Sequence, residues 1–159
     1  MPLSPYYITA GFLTWNWFYA YGILSSRTIK QIYGIDHNAS PRQDLNKYAD
    51  AAIREGKLTR EQVDMIQRCE GASANSVEGY TLFFGSVIFA MHSRVPMGVI
   101  NGTCAIYTLA RLAYGVVYVF VSDDRWSQFR GLFWWIGNLS CLSLLWRGAA
   151  KGTAQLRSG

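Results

Sequence analysis

Arg68-Cys69-Glu70-Gly71-Ala72-Ser73-Ala74-Asn75-Ser76-Val77-Glu78 runs straight into the apolar stretch from Tyr80 to Met91. Upstream, Thr59-Arg60-Glu61-Gln62 fits a capping box, so the pattern predicts one helix from there to His92. At 1.5 Å per residue that helix is about 50 Å long. A hydrocarbon core is only about 30 Å thick, so the first turns should stand in water. Successive residues turn by about 100°, which puts Arg68 and Asn75 on nearly one line, with Glu78 one turn on. The next apolar run carries Tyr107, Arg111, Tyr114 and Tyr118 in an i, i+4, i+7, i+11 stripe, again one face. Ionisable groups are costly at membrane depth, and those found there usually face a bundle interior and mark a site. Two helices are therefore expected to turn one polar face each toward the interior.

Four stretches are long enough to span a membrane: 6–26, 60–92, 97–121 and 125–147. Asn16, Glu78, Arg111 and Asn138 interrupt them, as expected of helices that hide one face against neighbours. Gly11, Gly22, Gly85, Gly115 and Gly137 would permit close helix approach. The expected fold is thus all-α, an integral membrane four-helix bundle within a single domain, 1–159. One connection is long and polar, and within it a short surface helix is expected over about 41–56. Ser40 would cap that helix, Pro41 would open it, and Leu45, Tyr48, Ala52 and Ile53 would line one face. Gly56 would end it. Ser122 or Asp123 is expected to cap the last span.

With 159 residues there is room for one compact domain and not two. Six Trp and ten Tyr are many for a small soluble protein and suit helices that cross membrane interfaces. The net charge of +5 does not point to nucleic acid, because the basic residues are scattered. They read better as an orientation signal. The long connection carries Arg27, Lys30, Arg42, Lys47, Arg54, Lys57 and Arg60, which places it on the cytoplasmic side with both termini opposite. Cys69, Cys104 and Cys141 lie far apart and read as small buried apolar residues, without metal-ligand spacing. His92 stands at a helix end with no ligand partner in the pattern, so no metal site is expected. No cleavable leader pattern is visible.

Taken in order, these motifs resemble the membrane-associated proteins in eicosanoid and glutathione metabolism, the MAPEG superfamily. Ser40-Pro41-Arg42 and Arg68 through Ala74-Asn75-x-x-Glu78 are similar to its bacterial and fungal branch. Ala110-Arg111-Leu112-x-Tyr114-x-x-x-Tyr118 resembles its third-helix signature, over a match running from about Ser25 to Arg130. The resemblance implies a homotrimer with active sites between subunits near the cytoplasmic face. It implies residence in the endoplasmic reticulum membrane of a eukaryote or the inner membrane of a bacterium. It also implies glutathione as cofactor, membrane lipids as surroundings and a hydrophobic small molecule as substrate.

Glutathione has two carboxylates, an ammonium group and a thiol. The resemblance assigns Arg27, Arg68 and Arg111 to the carboxylates, which an arginine fork suits. Glu78 would meet the ammonium group and Asn75 the peptide, while Tyr114 and Tyr118 would offer hydroxyl donors. Arg125 would be the catalytic residue, lowering the thiol pKa from about 8.5 by favouring the thiolate. Other readings stand beside these. Arg68 and Glu78 would equally pair across helices, the tyrosine stripe would pack, and Arg125 would anchor at the interface. The chain also departs from the family. Gly71 stands where the mammalian eicosanoid members carry an arginine, Ser73 where His or Gln is common, and Gly79 follows the glutamate. Losing one carboxylate partner would cost about 1.5–3 kcal/mol of affinity. The small residues would leave room for a bulky substrate. Three functions follow: a glutathione-dependent transferase or isomerase, an isomerase or cyclase of a lipophilic metabolite that acts without glutathione, and a non-enzymatic lipid-binding adaptor.

Overall fold

The computed structural model describes residues 4–158, apart from the side chains of Asp124 and Ser158. Every regular element among the described residues is helical. The first helix, α1, spans Pro5–Phe18 and continues through a π-helical turn at Tyr19–Ile23. There the Leu24 amide donates to the Tyr19 carbonyl, five residues back, at 3.0 Å. Then come α2 (Ser26–Ile32), a 3-10 turn (Pro41–Gln43), α3 (Asp44–Arg54), α4 (Arg60–His92), α5 (Met97–Phe120), α6 (Asp124–Ser127) and α7 (Phe129–Ser158).

The capping chemistry explains most boundaries. At the start of α4, the Thr59 hydroxyl accepts from the Gln62 amide at 3.2 Å, and the Gln62 side chain accepts from the Thr59 amide at 2.8 Å. The Asp123 carboxylate accepts from the amides of Arg125 and Trp126, opening α6. Gly56 adopts φ 71°, the left-handed conformation that ends a helix cheaply in glycine. Three boundaries differ from the sequence expectation. The first helix stops short of residue 26, because Ser25 breaks it and caps α2 through the Arg27 amide. The surface helix starts as a 3-10 turn, and the Ser40 side chain makes no capping bond. The last helix runs to Ser158 rather than 147.

The helices alternate in direction. Thr9 bonds Asn101, Asn16 bonds Thr108 and Tyr19 bonds Arg111, each pair 92 residues apart, so α1 and α5 run parallel. Ser73 on α4 bonds the Ala20 carbonyl, and Asn75 and Arg68 meet Arg111 and Val119, so α4 runs against both. Phe89 and Ser93 lie beside Gly148 and Gly152, so α7 runs with α4. This up-down-up-down order puts both ends of the bundle's chain at the end that carries Ser93.

At the centre, α5 packs against α1, α4 and α7. Phe83, Val87, Ile100, Cys104, Cys141 and Leu144 form the core there, with the Tyr107 ring stacked on Phe83 at 4.0 Å between centroids. The three cysteines are buried and free, as read from the sequence. The first turns of α4 leave this bundle. Val63 and Ile66 pack instead against Leu45, Ala49, Ala52 and Ile35 of the long connection. Among the described residues, Met97–Phe120 is the helix long and apolar enough to cross a membrane on its own composition. Large apolar side chains are nevertheless exposed on all four long helices, including Trp17, Phe84, Leu109, Phe120, Trp135 and Trp146.

Candidate functional site

Charged and polar side chains gather in three places. The first is inside the bundle, around Arg111, which is 3% exposed. Its Nη2 donates to Asn75 Oδ1 at 3.0 Å and to Ser76 Oγ at 2.8 Å. Its guanidinium lies over the Tyr114 ring, 4.4 Å from the centroid. Its carbonyl accepts from the Tyr19 hydroxyl at 3.2 Å. No carboxylate among the described residues forms an ion pair with it, and its Nε is buried without a partner. Glycines make the space. A Cβ on Gly79 would stand 3.2 Å from the Tyr107 hydroxyl and 3.7 Å from Arg111 Cζ, and one on Gly137 would stand 3.7 Å from Arg111 Cδ.

The second place is a cleft of 700 Å³ between the long connection and α4. Arg27, Arg42, Glu70, Ser73 and Glu78 line it, with Tyr21 contributed by the π-helical turn. Arg27 is exposed and is partly engaged, through Asn38 and at 3.5 Å from Asp36. Arg42 and Glu78 are exposed, and neither makes a side-chain hydrogen bond or ion pair among the described residues. Opposite charges thus stand within one cleft without a hydrogen-bond or ion-pair partner among the described residues.

The third place is the turn into α6. Arg125 is exposed, and its side chain makes no hydrogen bond or ion pair among the described residues. Its neighbours Asp123 and Trp126 line an apolar groove of 540 Å³, together with Val117, Phe120, Phe129 and Phe133.

Within one chain, then, the predicted site residues fall apart into these places. Asn75, Arg111 and Tyr114 meet in the interior, Arg27 and Glu78 meet in the cleft, and Arg125 stands at the groove. Arg68 belongs to none of them. Its Nε donates to the Val119 carbonyl at 3.0 Å, one of the carbonyls left open by the last turn of α5. Tyr118 lies under Arg130, whose guanidinium is 4.8 Å from the ring centroid. The room expected at the small residues is occupied. A Cβ on Gly71 would stand 2.8 Å from the Tyr118 hydroxyl, and Ser73 donates to the Ala20 carbonyl at 3.0 Å. Sequence reasoning named Ser40-Pro41-Arg42 as a motif without giving Arg42 a site role. It gave no role to Ser76 or Tyr19, whose partners only the packed bundle reveals.

The chain belongs to the MAPEG family, whose pattern it matches over residues 6–150. Neither a curated protein nor a solved structure matches it. Proteins of this family are membrane-associated and include glutathione transferases and isomerases. The all-helical bundle is consistent with that membership.

Proposed function

We propose that the chain is a four-span membrane enzyme, working as a homotrimer, that binds glutathione near its cytoplasmic face and transfers it to hydrophobic electrophiles or isomerises them. The observation that carries this reading is the cleft in which Arg42 and Glu78 hold opposite, uncommitted charges beside Arg27. Glutathione fits that donor set. Its carboxylates suit the forks of Arg27 and Arg42, and its ammonium group suits the Glu78 carboxylate. Arg68, Arg111 and Tyr118 act in this reading as braces that fix α5 against α4 behind the cleft, with Asn75 and Tyr114 holding Arg111. The exposed apolar surface of all four long helices supports burial in lipid and against other copies.

When bound, glutathione supplies a thiolate nucleophile. The chain's part is electrostatic. Arg125 does not line the cleft of its own chain, so an Arg125 from a neighbouring copy completes the site in the trimer. A guanidinium there favours the ionised sulfur and stabilises negative charge that develops during attack. The apolar groove beside Arg125 holds a hydrophobic substrate arriving from the bilayer.

A thermal-shift measurement on the detergent-solubilised protein tests binding. Glutathione at millimolar concentration should raise the unfolding temperature, and thiolate absorbance in the ultraviolet should appear on mixing. No shift and no binding at that concentration would remove glutathione from the reading. A second reading then takes its place: a glutathione-independent isomerase or cyclase of a lipophilic metabolite. It draws support from the commitment of Arg68 and Arg111 to bonds within the protein, and from the apolar groove beside a free Arg125.

A further inference from the structure

Lys30, on α2, borders the same cleft, yet its side chain is only 3% exposed. An ammonium has three protons to donate and no capacity to accept. Lys30 Nζ donates to Glu70 Oε1 on α4 at 2.8 Å and to the Pro41 carbonyl at 2.6 Å. It lies 3.7 Å from Asp44 Oδ2 on α3. Its three partners thus come from α4, the 3-10 turn and α3. Each carboxylate is held in turn. Glu70 Oε1 accepts from the Ser26 hydroxyl at 3.1 Å. Asp44, 0% exposed, accepts from the His37 amide at 3.4 Å, and its other oxygen lies 3.0 Å from His37 Nδ1. Two carboxylates around one buried cation satisfy it, and removing one member of such a set strands the others.

The placement matters because of what adjoins it. The Pro41 carbonyl belongs to the peptide that joins Pro41 to Arg42, so fixing that oxygen fixes the root of the Arg42 side chain. Arg27 stands one helical turn before Lys30 on α2. Glu70 lies two turns before Glu78 on α4. We infer that Lys30 is a positioning residue: its buried ammonium pins the long connection to α4 and thereby holds Arg27 and Arg42 across the cleft from Glu78. Lys30 acts through these residues, since its buried ammonium is already held by two hydrogen bonds and a second carboxylate. The identity of the ligand rests on the glutathione reading, whereas the pinning itself does not. A connection of this length would otherwise move, and each binding event would then bear the cost of ordering it.

The test uses the full chain in lipid nanodiscs, as wild type, Lys30→Met, Lys30→Arg and, as control, the exposed Lys47→Met. Turnover of a dinitrophenyl halide is measured against glutathione concentration, and amide hydrogen exchange is followed over residues 36–43 and through α5. Lys30→Met should raise the KM for glutathione by about tenfold or more, because two anchors lose preorganisation. The kcat at saturation should stay within about twofold, because Arg125 is untouched. Exchange over 36–43 should accelerate by about tenfold or more while α5 stays protected. Lys30→Arg, which keeps the charge, should fall between, and Lys47→Met should match wild type. Unchanged exchange over 36–43 in Lys30→Met overturns the inference, as does a loss of kcat with KM unmoved. If Lys30→Met does not fold, Glu70→Gln weakens the same link and should show the same pattern more mildly. If the wild type neither binds nor uses glutathione, the proposed function fails, and exchange over 36–43 alone still decides the role of Lys30.

Discussion

Where Arg111 meets α4 inside the bundle, Asn75 and Ser76 bind its guanidinium and a tyrosine ring covers it. Where Arg42 approaches the same helix from the long connection, no side chain among the described residues bonds it, and Glu78 in the same cleft is likewise without a hydrogen bond or ion pair among them. The two arginines have the same chemistry and opposite surroundings. A buried polar group is costly unless bonded, and the Arg111 head group, apart from its unpartnered Nε, directs its bonds to α4 and so holds the helices together. Uncommitted charges in a cleft keep their capacity for something that arrives. In the proposed function the difference separates residues that support the site from residues that would meet a ligand, even though α4 carries parts of both.

The sharpest way to break this division is at Arg125. Arg125→Ala should lower turnover by about 10-fold to 1000-fold, the range for loss of one electrostatic stabiliser. Glutathione affinity should fall far less, and the unfolding temperature should not move. A variant that loses affinity and turnover together would place Arg125 among the binding residues. Glu78→Gln comes next. It should weaken glutathione binding by about 10-fold to 100-fold, following the 1.5–3 kcal/mol typical of a charged hydrogen bond. Titration calorimetry would read this directly, and a drop in thermal stability instead would move Glu78 into the supporting class.

On the interior side, Gly115→Ala should destabilise by about 1–3 kcal/mol, the cost of overpacking. Its Cβ would collide with the buried Tyr19 hydroxyl. Adding Tyr19→Phe should recover part of the loss in unfolding temperature, because the nearest clashing atom is then gone while ring Cζ stays 3.0 Å from the new methyl and the bond to the Arg111 carbonyl is lost. The smallest effect is expected at Gly71→Ala. There the obstacle is the tip of a half-buried Tyr118 that can shift, and alanine gains helix propensity of about 1 kcal/mol over glycine. The two should nearly cancel in a melting curve. A large loss at Gly71 would show that Tyr118 is as rigidly held as Tyr19.

The interior was largely legible. Tyr107, Arg111 and Tyr114 are buried together, as the i, i+4, i+7 spacing requires. The capping box at Thr59 and the protruding start of α4 also follow from local chemistry and length. Glu78 shows the limit of the α4 stripe. Ten residues at 100° leave it about 80° around the helix from Arg68, enough to turn it from the α5 contact into the cleft. The braces were less legible. Lys30 and Glu70 are 40 residues apart, and no period or spacing joins a short loop helix to the middle of a long one. Arg68 reads as a ligand-binding cation by charge and sits instead on an open carbonyl of α5, because only the packed pair reveals which helix end lies within its reach.

The π-helical turn at Tyr19–Ile23 bears on how this chain tolerates changes of length. A π-helical turn holds one residue more than the α-helical turn it replaces. Upstream of it, Thr9 and Asn16 are locked to α5 by side-chain bonds, and downstream Ser25 and Ser26 are locked to α2 and Glu70. Removing one residue elsewhere in α1 would rotate one of those sets by about 100° and break it. Removing one from within the π-helical turn would let both sets keep their partners while the turn relaxes to ordinary α-helix. The first helix thus carries its own slack at a defined place, and a single-residue deletion is expected to be tolerated there and not in the turns on either side.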